Sequence, residues 1–433
     1  MLEAYVDALE NALRVRLGCV LEFLIVSTCV TRSLVHVEGP AQLGDLAMKK
    51  LRSIVPAIVC VAVSLGAVAS GCGSYPFPLP SLDENGGSSN TGNGGSSSTE
   101  PCTSAASVTG NLPCDVLAKA CQPCVSAHST VRAIVTGYTG PLYQVQRSDG
   151  QNKEIGIVDG YADTAAQDQF CAGTTCYVMR IYDQSSHDNV LDLAPPGGAK
   201  ATPGNPAKAT DLKININGHV AYGLRFNPGM GYRKLFGNAT ATGDEPQTIY
   251  MVSSQKDLKN GCCFDYGNAE TTAHDDGNGT MEAIYLGKGV VWGSGSGDPE
   301  GPWIMADLEN GLYAGWENEQ WDGISTNKPL KFDYVSGVLV GDTADKNGGK
   351  GRFALYGGDA TTGTLQTMWD GIRPTKPGYV PMQKQGSIVL SVGGDNSDGD
   401  GGRFFEGAMS NGAATKATVD AIQASVVAAK YGQ

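Results

Sequence analysis

Two adjacent cysteines, Cys262 and Cys263, lie in the run Gly-Cys-Cys-Phe-Asp-Tyr-Gly-Asn-Ala-Glu at residues 261–270. A disulfide between chain neighbours closes only a tight ring, which constrains the peptide between them. Backbone held in an unusual conformation often lies at a ligand-binding site. Two unrelated buried thiols are the alternative interpretation. Acidic segments elsewhere in the chain favour the ligand site, and they are Trp-Ile-Met-Ala-Asp-Leu-Glu-Asn at 303–310 and Gly-Gly-Asp-Asn-Ser-Asp-Gly at 393–399.

The acids of these segments could carry out hydrolysis of a glycosidic bond. Such chemistry needs two carboxyl groups, one that protonates the leaving oxygen and one that attacks or stabilises the anomeric carbon. Asp307 and Glu309 are two residues apart, so in a strand both side chains project from one face and Leu308 points into the core. Asp395 follows Gly-Gly, which lets the backbone approach a ligand closely. The chain has many other acids, so spacing alone does not choose the pair.

The elements that must position these residues are short β-strands. Apolar side chains alternate in short runs, and Gly-, Asn- and Asp-rich turns separate the runs, which is typical of an antiparallel sandwich. The runs are 129–135, 176–182, 247–252, 302–308, 330–335, 351–356 and 386–392. Residues 416–430 have helical spacing and good helix formers, so we expect a helix that caps the end of the domain. The sequence therefore predicts an all-β domain with a short C-terminal helix.

Together, these segments resemble the catalytic domain of family 54 glycoside hydrolases, the fungal-type α-L-arabinofuranosidases B. Further matching segments are Cys-Asp (114–115), Ala-His-Ser-Thr (127–130), Leu-Tyr-Gln-Val-Gln-Arg (142–147), Ile-Tyr-Asp-Gln-Ser (181–185), Ala-Pro-Pro-Gly-Gly (194–198), Ala-Thr-Gly-Asp-Glu (241–245), Met-Glu-Ala-Ile-Tyr-Leu-Gly (281–287) and Ala-Ala-Lys-Tyr (428–431). The resemblance runs through residues 111–431 without a large gap. It implies a two-sheet, concanavalin- or lectin-like jelly roll.

The resemblance also implies roles for individual residues. It assigns Glu309 as the nucleophile of a retaining α-L-arabinofuranosidase and Asp395 as the general acid/base, which must be protonated when the bond breaks. The Cys262–Cys263 disulfide would form a rigid apolar wall under the furanose ring. The further expected substrate contacts are Asp307, Asn310, the backbone of Gly394, and Trp292 as an aromatic packing partner.

Other acids compete for these roles. Glu282 and Glu406 are flanked by strand-like residues, where a carboxyl more often serves a structural hydrogen bond. Asp398 and Asp400 leave a calcium loop open, although their spacing is not that of an EF-hand. We expect neither a metal nor an organic cofactor.

Most of the 12 cysteines belong to the part of the chain that we expect to be exported. Cysteines in an oxidising compartment form disulfides, and the resemblance implies the pairs Cys114–Cys124, Cys171–Cys176 and Cys262–Cys263. Cys102 and Cys121 are extra to the family pattern, and a fourth bridge between them would pin the linker to the domain. Zinc at Cys121 and Cys124 is the competing interpretation, but no second close pair completes four ligands.

The N-terminal region predicts export. Residues 48–71 have a basic start, a short apolar stretch and small residues, as in a secretory signal, and Cys72 then looks like the lipid-modified first residue of an outer-membrane or cell-surface lipoprotein. A plain signal peptide and secretion are the alternative. We interpret residues 1–47 as a mis-assigned extension before a true start at Met48, unless residues 16–31 form a first anchor. Residues 72–110 read as a Gly/Ser/Asn-rich flexible linker, and residues 111–433 as the catalytic sandwich.

Composition limits the partners. With 31 Lys+Arg against 44 Asp+Glu, the net charge of -13 argues against nucleic-acid binding. We expect a monomer that removes terminal α-L-arabinofuranosyl residues from arabinoxylan, arabinan or arabino-oligosaccharides. Fungal members carry a C-terminal β-trefoil arabinose-binding module, and this sequence ends at Gln433, so we expect soluble oligosaccharides to be favoured. The alternatives are a catalytically silent lectin-like module, or β-xylosidase or galactofuranosidase specificity in the same pocket, which depends on a few hydrogen bonds.

Overall fold

β-Strands dominate the residues that the computed structural model describes, which are 108–259, 261–288, 301–315 and 325–433. The strands are β1 (Cys124–Ser129), β2 (Tyr143–Arg147), β3 (Asn152–Ile155), β4 (Ile157–Val158), β5 (Tyr161–Ala162), β6 (Cys176–Ile181), β7 (Leu191–Leu193), β8 (Leu212–Ile216), β9 (His219–Phe226), β10 (Tyr232–Lys234), β11 (Gln247–Ser253), β12 (Asp265–Ala269), β13 (Glu282–Gly287), β14 (Trp303–Asp307), β15 (Leu312–Tyr313), β16 (Val335–Gly341), β17 (Phe353–Asp359), β18 (Gln366–Gly371), β19 (Ser387–Leu390) and β20 (Gly402–Asn411). The helices are α1 (Pro113–Lys119), α2 (Thr164–Phe170), α3 (Lys346–Gly349) and α4 (Lys416–Ala428). Within these ranges, the helices are too short or too polar to cross a membrane.

Two large antiparallel sheets form the predicted sandwich. The first has 8 strands in the order β18-β17-β16-β11-β20-β9-β8, with β1 also paired to β20. The second has 10 strands in the order β15-β14-β13-β12-β19-β10-β7-β6-β2-β3. A separate small ribbon joins β4 to β5. The predicted all-β sandwich fold is therefore confirmed.

The smaller sheet is buried on both faces, as the residues of strand β11 illustrate. Ile249 and Met251 join the core that also contains side chains of the larger sheet, whereas Tyr250 and Val252 join a second apolar cluster. Helix α4 supplies that second cluster with Val419, Ile422 and Val426. Because alternate strand residues point to opposite faces, one side of β11 packs between the sheets and the other packs towards the helix. The predicted C-terminal helix is thus present, and it ends two residues earlier than expected, at Ala428.

Two of the predicted strand runs are wrong in part. Strand β1 ends at Ser129, because the Ser129 Oγ accepts hydrogen bonds from the backbone N–H groups of Val131 and Arg132 and turns the chain. In the run 330–335, only Val335 belongs to a strand. Leu330 and Phe332 pack against the core from an irregular segment, so their alternation reflects burial rather than strand pairing.

Two disulfides fix the helices near the sheets. Cys114 in α1 is bonded to Cys124 in β1, and Cys171 after α2 is bonded to Cys176 in β6. Cys121 is disulfide-bonded as well. Its predicted partner Cys102 and the predicted lipidation site Cys72 lie outside the described residues.

The two rival glutamates have structural partners. Glu406 accepts two hydrogen bonds of 2.6 Å from Arg132 and one of 2.8 Å from the Tyr431 hydroxyl. Glu282 lies 3.5 Å from Lys384 Nζ and accepts a 2.8 Å hydrogen bond from Gln247. Both carboxyls are fully buried in these networks, as expected for structural rather than catalytic groups.

The Arg132–Glu406 pair yields a stability prediction. Replacing Glu406 with Ala leaves the buried Arg132 charge without its partner, so we expect the free energy of unfolding to fall by about 3–5 kcal/mol. Urea unfolding followed by tryptophan fluorescence measures this change. The control is Asp192→Ala, which breaks an exposed pair with Arg180 and should cost less than about 1 kcal/mol. Equal losses in the two variants would contradict the assigned role of the buried pair.

Candidate active site

The candidate site lies on the face of the larger sheet that points away from the core. Asp307 is paired opposite Ala283, Ala283 opposite Gly267, and Gly267 opposite Val389. Residues directly opposite each other share a sheet face, so these four form a row across β14, β13, β12 and β19. The neighbouring residue Ala306 belongs instead to the core. Ala283 and Val389 of this row pack in a small apolar cluster, and Asp307 at its end lines the cavity.

The predicted nucleophile, Glu309, reaches the site from a tight turn. Strand β14 ends at Asp307, and Glu309 and Asn310 both have left-handed backbone, with φ of 56° and 58°. The Tyr379 hydroxyl donates a 3.0 Å hydrogen bond to the Glu309 carbonyl and holds this turn. The prediction that Asp307 and Glu309 share a face through strand alternation is therefore wrong in its reason. Leu308 is buried in the core as expected.

These elements enclose a cavity of about 150 Å³. Its lining residues are Cys262, Cys263, Asp275, Asp307, Glu309, Asn310, Gly311, Gly393, Gly394, Asp395 and Ser397. The structure thus brings together every predicted site residue that it describes. Trp292 lies outside the described residues.

The adjacent cysteines form one wall of the cavity. Cys262 and Cys263 are bonded to each other, and their sulfurs lie 3.6 and 3.5 Å from Ser397 Oγ. The two sulfurs and a carboxylate oxygen of Asp307 lie within 4.8 Å of one another, a spacing that metal ligands can have. Because the two sulfurs are already joined, they offer no thiolate to a metal.

Asp395 is carried by a loop that follows β19. Its Oδ1 accepts a 2.9 Å hydrogen bond from the Ser397 backbone, and its carbonyl accepts one of 2.9 Å from Ala199 N–H. The calcium interpretation of this loop is not supported. Asp398 pairs with Lys200, whereas Asp400 accepts hydrogen bonds from the backbone at 259 and 401, so the two carboxyls do not converge.

Sequence reasoning missed four charged residues at this site. Asp275 lines the mouth of the cavity, where it accepts a 2.9 Å hydrogen bond from Asn310 Nδ2. Asp265 is buried and interacts with Asp307. Glu270 and Arg233 lie behind Gly394. Asp265 and Glu270 had a usable signal, because both lie in the segment that begins with the paired cysteines.

A family model described as "Alpha-L-arabinofuranosidase B, catalytic" matches residues 113–432. The chain belongs to this family. The match covers both sheets, helix α4 and every segment that lines the cavity.

Known relatives carry corresponding names. "Probable alpha-L-arabinofuranosidase B" of Aspergillus terreus is 47% identical over 326 residues, covering 74% of this chain and 62% of that protein. "Arabinofuranosidase/B-xylosidase" of Trichoderma koningii is 46% identical over 337 residues, covering 76% and 65%. A solved arabinofuranosidase complexed with arabinofuranosyl-alpha-1,2-xylobiose has a TM-score of 0.69 at 42% identity, covering 74% of this chain and 65% of that chain. This chain therefore spans less than two thirds of their length.

The acids of this arabinofuranosidase-family site shift one another's pKa. Burial raises the pKa of Glu309 to about 10, and the nearby carboxyls of Glu270, Asp307, Asp395 and Asp275 add to the increase. Burial likewise raises the pKa of Asp307 to about 7. Like charges this close cannot all be ionised, so the cluster holds protons at neutral pH.

Gly394 yields a prediction about this crowding. A Cβ there would lie 2.0 Å from Glu270 Oε2 and 2.2 Å from Glu309 Oε2, so Gly394→Ala must displace both carboxyls. We expect kcat/KM on an aryl α-L-arabinofuranoside to fall on the order of 10²-fold, since small displacements of reacting groups are that costly. Gly156→Ala is the control, because nothing lies within 4 Å of the added Cβ. Unchanged kinetics for Gly394→Ala would contradict the close approach of the Glu270 and Glu309 carboxyls to Gly394.

Proposed function

We propose that this protein is a retaining, exo-acting α-L-arabinofuranosidase. The observation that carries the proposal is the convergence of Glu309 and Asp395 in one small cavity of a chain that belongs to this family. A lectin-like binding module, the silent alternative, has no need of two carboxyl groups at the centre of its pocket.

The proposed mechanism is a double displacement. Asp395 donates its proton to the glycosidic oxygen while a Glu309 oxygen attacks the anomeric carbon, so the leaving alcohol departs and a covalent arabinosyl ester forms. Asp395, now ionised, removes a proton from water, which attacks the same carbon and releases Glu309 as a carboxylate. Two inversions return the sugar with its original anomeric configuration.

The shape of the cavity supports exo action. A volume of about 150 Å³ is below the range of about 300–1,000 Å³ that is usual for drug-sized ligands, so the cavity suits one sugar ring. The disulfide gives an apolar surface for the C–H face of that ring. Asp307, Asp275 and Asn310 offer polar groups to its hydroxyls.

We propose arabinosyl side chains of arabinoxylan, arabinan or arabino-oligosaccharides as the natural substrates. The complex of a related arabinofuranosidase with arabinofuranosyl-alpha-1,2-xylobiose supports a substrate of this kind. A second candidate is β-xylosidase activity in the same pocket, which the name of the Trichoderma koningii relative favours. Galactofuranosidase activity remains a third specificity to be tested in the same assay.

The decisive experiment compares three nitrophenyl glycosides: α-L-arabinofuranoside, β-D-xyloside and β-D-galactofuranoside. We expect wild-type turnover of the arabinoside, and Glu309→Gln should lower it at least about 10³-fold because the nucleophile is lost. Asp395→Asn should cost about 10²–10⁴-fold on an arabino-oligosaccharide, whose leaving group needs a proton. Exposed Glu154→Gln is the matched control and should leave the rates unchanged. Near wild-type turnover by Glu309→Gln would exclude the mechanism.

We also propose that the protein is exported and anchored through a lipid on Cys72, with residues 48–71 as the signal and 72–110 as the tether to a catalytic domain at 111–433. The start of the family match at residue 113 supports this domain boundary. No interaction with nucleic acid is expected, and the enzyme is proposed to act as a monomer.

Fractionation of the cells that make the protein tests the anchor. We expect the wild type to enter the detergent phase with the membrane lipoproteins, and Cys72→Ser to lose this partitioning, because the thiol that would carry the lipid is absent. Cys102→Ser serves as the control. The anchor proposal is wrong if wild type and Cys72→Ser partition alike.

A further inference from the structure

Glu270 is a buried carboxyl beside the proposed nucleophile that the mechanism above does not use. It directly follows β12 and is fully buried. Its Oε1 accepts a 2.5 Å hydrogen bond from the Thr280 hydroxyl. Its Oε2 is buried and accepts no hydrogen bond from the described residues. An unpaired buried oxygen is costly, so its position calls for an explanation.

The free oxygen of Glu270 faces Glu309. Both Oε2 atoms approach the same point, the position of a Cβ on Gly394, to within 2.0 and 2.2 Å. Their separation therefore cannot exceed the sum of these two distances. Two carboxyl oxygens so close repel each other when both are ionised, and they attract each other when one proton lies between them.

Among the described residues, Arg233 supplies the positive charge that acts on Glu270. The Arg233 guanidinium contacts five neutral oxygens, those of Ser387 Oγ, Asn396 Oδ1 and the carbonyls of residues 270, 393 and 394. Asp307, Asp395 and Asp275 also face Glu309 and raise its pKa, and Asp265 interacts with Asp307 from below. One cation cannot offset this many carboxylates, so some of them remain protonated.

We propose that Glu270 is a positioning residue for the nucleophile: one proton lies between the Oε2 atoms of Glu270 and Glu309, and it stays on Glu270 when Glu309 attacks. Glu270 then donates a hydrogen bond to the ionised Glu309 and fixes its rotamer, while the other Glu309 oxygen remains free for the anomeric carbon. This inference rests on the proposed function, in which Glu309 is the nucleophile.

The surroundings of the pair agree with a retained proton. Burial raises the pKa of Glu270, and the hydrogen bond from Thr280, the charge of Arg233 and the hydrogen bond with Glu309 only partly oppose this increase. Burial and the neighbouring carboxyls raise the pKa of Glu309 to about 10. Two coupled carboxyls lose their protons in two steps that belong to the pair rather than to either residue, and the proposal places the singly protonated form between these two steps.

The pH profile of kcat/KM distinguishes a positioning role from a merely structural one. In the proposal, the hydrogen bond from protonated Glu270 favours ionised Glu309 and therefore lowers the pH of the acidic limb of the profile. Glu270→Gln preserves a donor that cannot ionise, so its acidic limb should stay at the same pH or move lower. Glu270→Ala removes the donor, and its acidic limb should move up by about 1–2 pH units.

The experiment uses the full chain and the nitrophenyl arabinoside, with melting temperatures recorded for each variant. We expect Glu270→Gln to keep kcat/KM within about tenfold of the wild type and Glu270→Ala to lose on the order of 10²-fold. A loss in Glu270→Gln comparable to that of Glu309→Gln would overturn the proposal, because it would mean that Glu270 must ionise. An acidic limb that is unmoved in a folded Glu270→Ala would overturn it as well.

Infrared difference spectroscopy tests the proton without any turnover. At neutral pH, the wild type minus Glu270→Gln spectrum should contain the C=O band of a protonated carboxylic acid. If that band is absent, the inference is wrong even when the arabinoside is hydrolysed. If the band is present in a protein that hydrolyses none of the three glycosides, the proposed function fails while the shared proton stands.

Discussion

One buried cation organises the acidic site. Arg233, in β10, reaches the backbone at Glu270 after β12, the Ser387 hydroxyl in β19, and the loop that carries Asp395. Burial lowers its pKa to about 10, against the opposing effect of Glu270, Glu309 and Asp395, so the guanidinium stays charged at neutral pH. Because an arginine offers several donors in a fixed plane, it can hold three chain segments at once. A lysine at this position would supply the charge without the geometry.

The two sheets of the sandwich are packed differently, and only the larger one carries residues of the acidic site. The smaller sheet is sealed on both faces, by the inter-sheet core and by the cluster to which helix α4 contributes. The larger sheet packs one face into the core, and its other face carries a small apolar cluster that includes Ala283 and, at Asp307, lines the cavity. Rigid strands therefore carry Asp307 and Arg233, while turns at strand ends carry Glu309, Asn310 and Asp395. The cavity can therefore enclose a small sugar ring while the packing between the two sheets stays unchanged.

Local periodicity predicted the elements better than it predicted the site. Runs such as 247–252 and 416–430 became β11 and α4 because burial and backbone pairing there follow the same period. The run 330–335 misled because Leu330 and Phe332 pack against the core although neither belongs to a strand. Alternation also placed Asp307 and Glu309 together for a wrong reason, since Glu309 enters the cavity from a left-handed turn that spacing does not reveal.

The missed residues share a physical cause. Arg233 lies in the short strand Tyr-Arg-Lys and looks like an exposed basic residue, yet its partners are as far as 163 positions away in the chain. Long-range pairing of this kind leaves no local pattern in one sequence. Asp275 lies in a polar loop that resembles any other turn. The family resemblance predicted residues that line the cavity, but not the charges beside them.

The charge of the site also restricts what it can bind. Its inner surface is rich in carboxyl oxygens, which accept hydrogen bonds, and the guanidinium of Arg233 is already occupied by protein oxygens. A ligand must therefore bring its own donors. Sugar hydroxyls do so without adding negative charge, whereas a uronate or a phosphorylated sugar would place another anion among groups that already hold protons to avoid repulsion. The same crowding thus favours a neutral polyol, and the apolar disulfide wall suits the C–H face of a sugar ring.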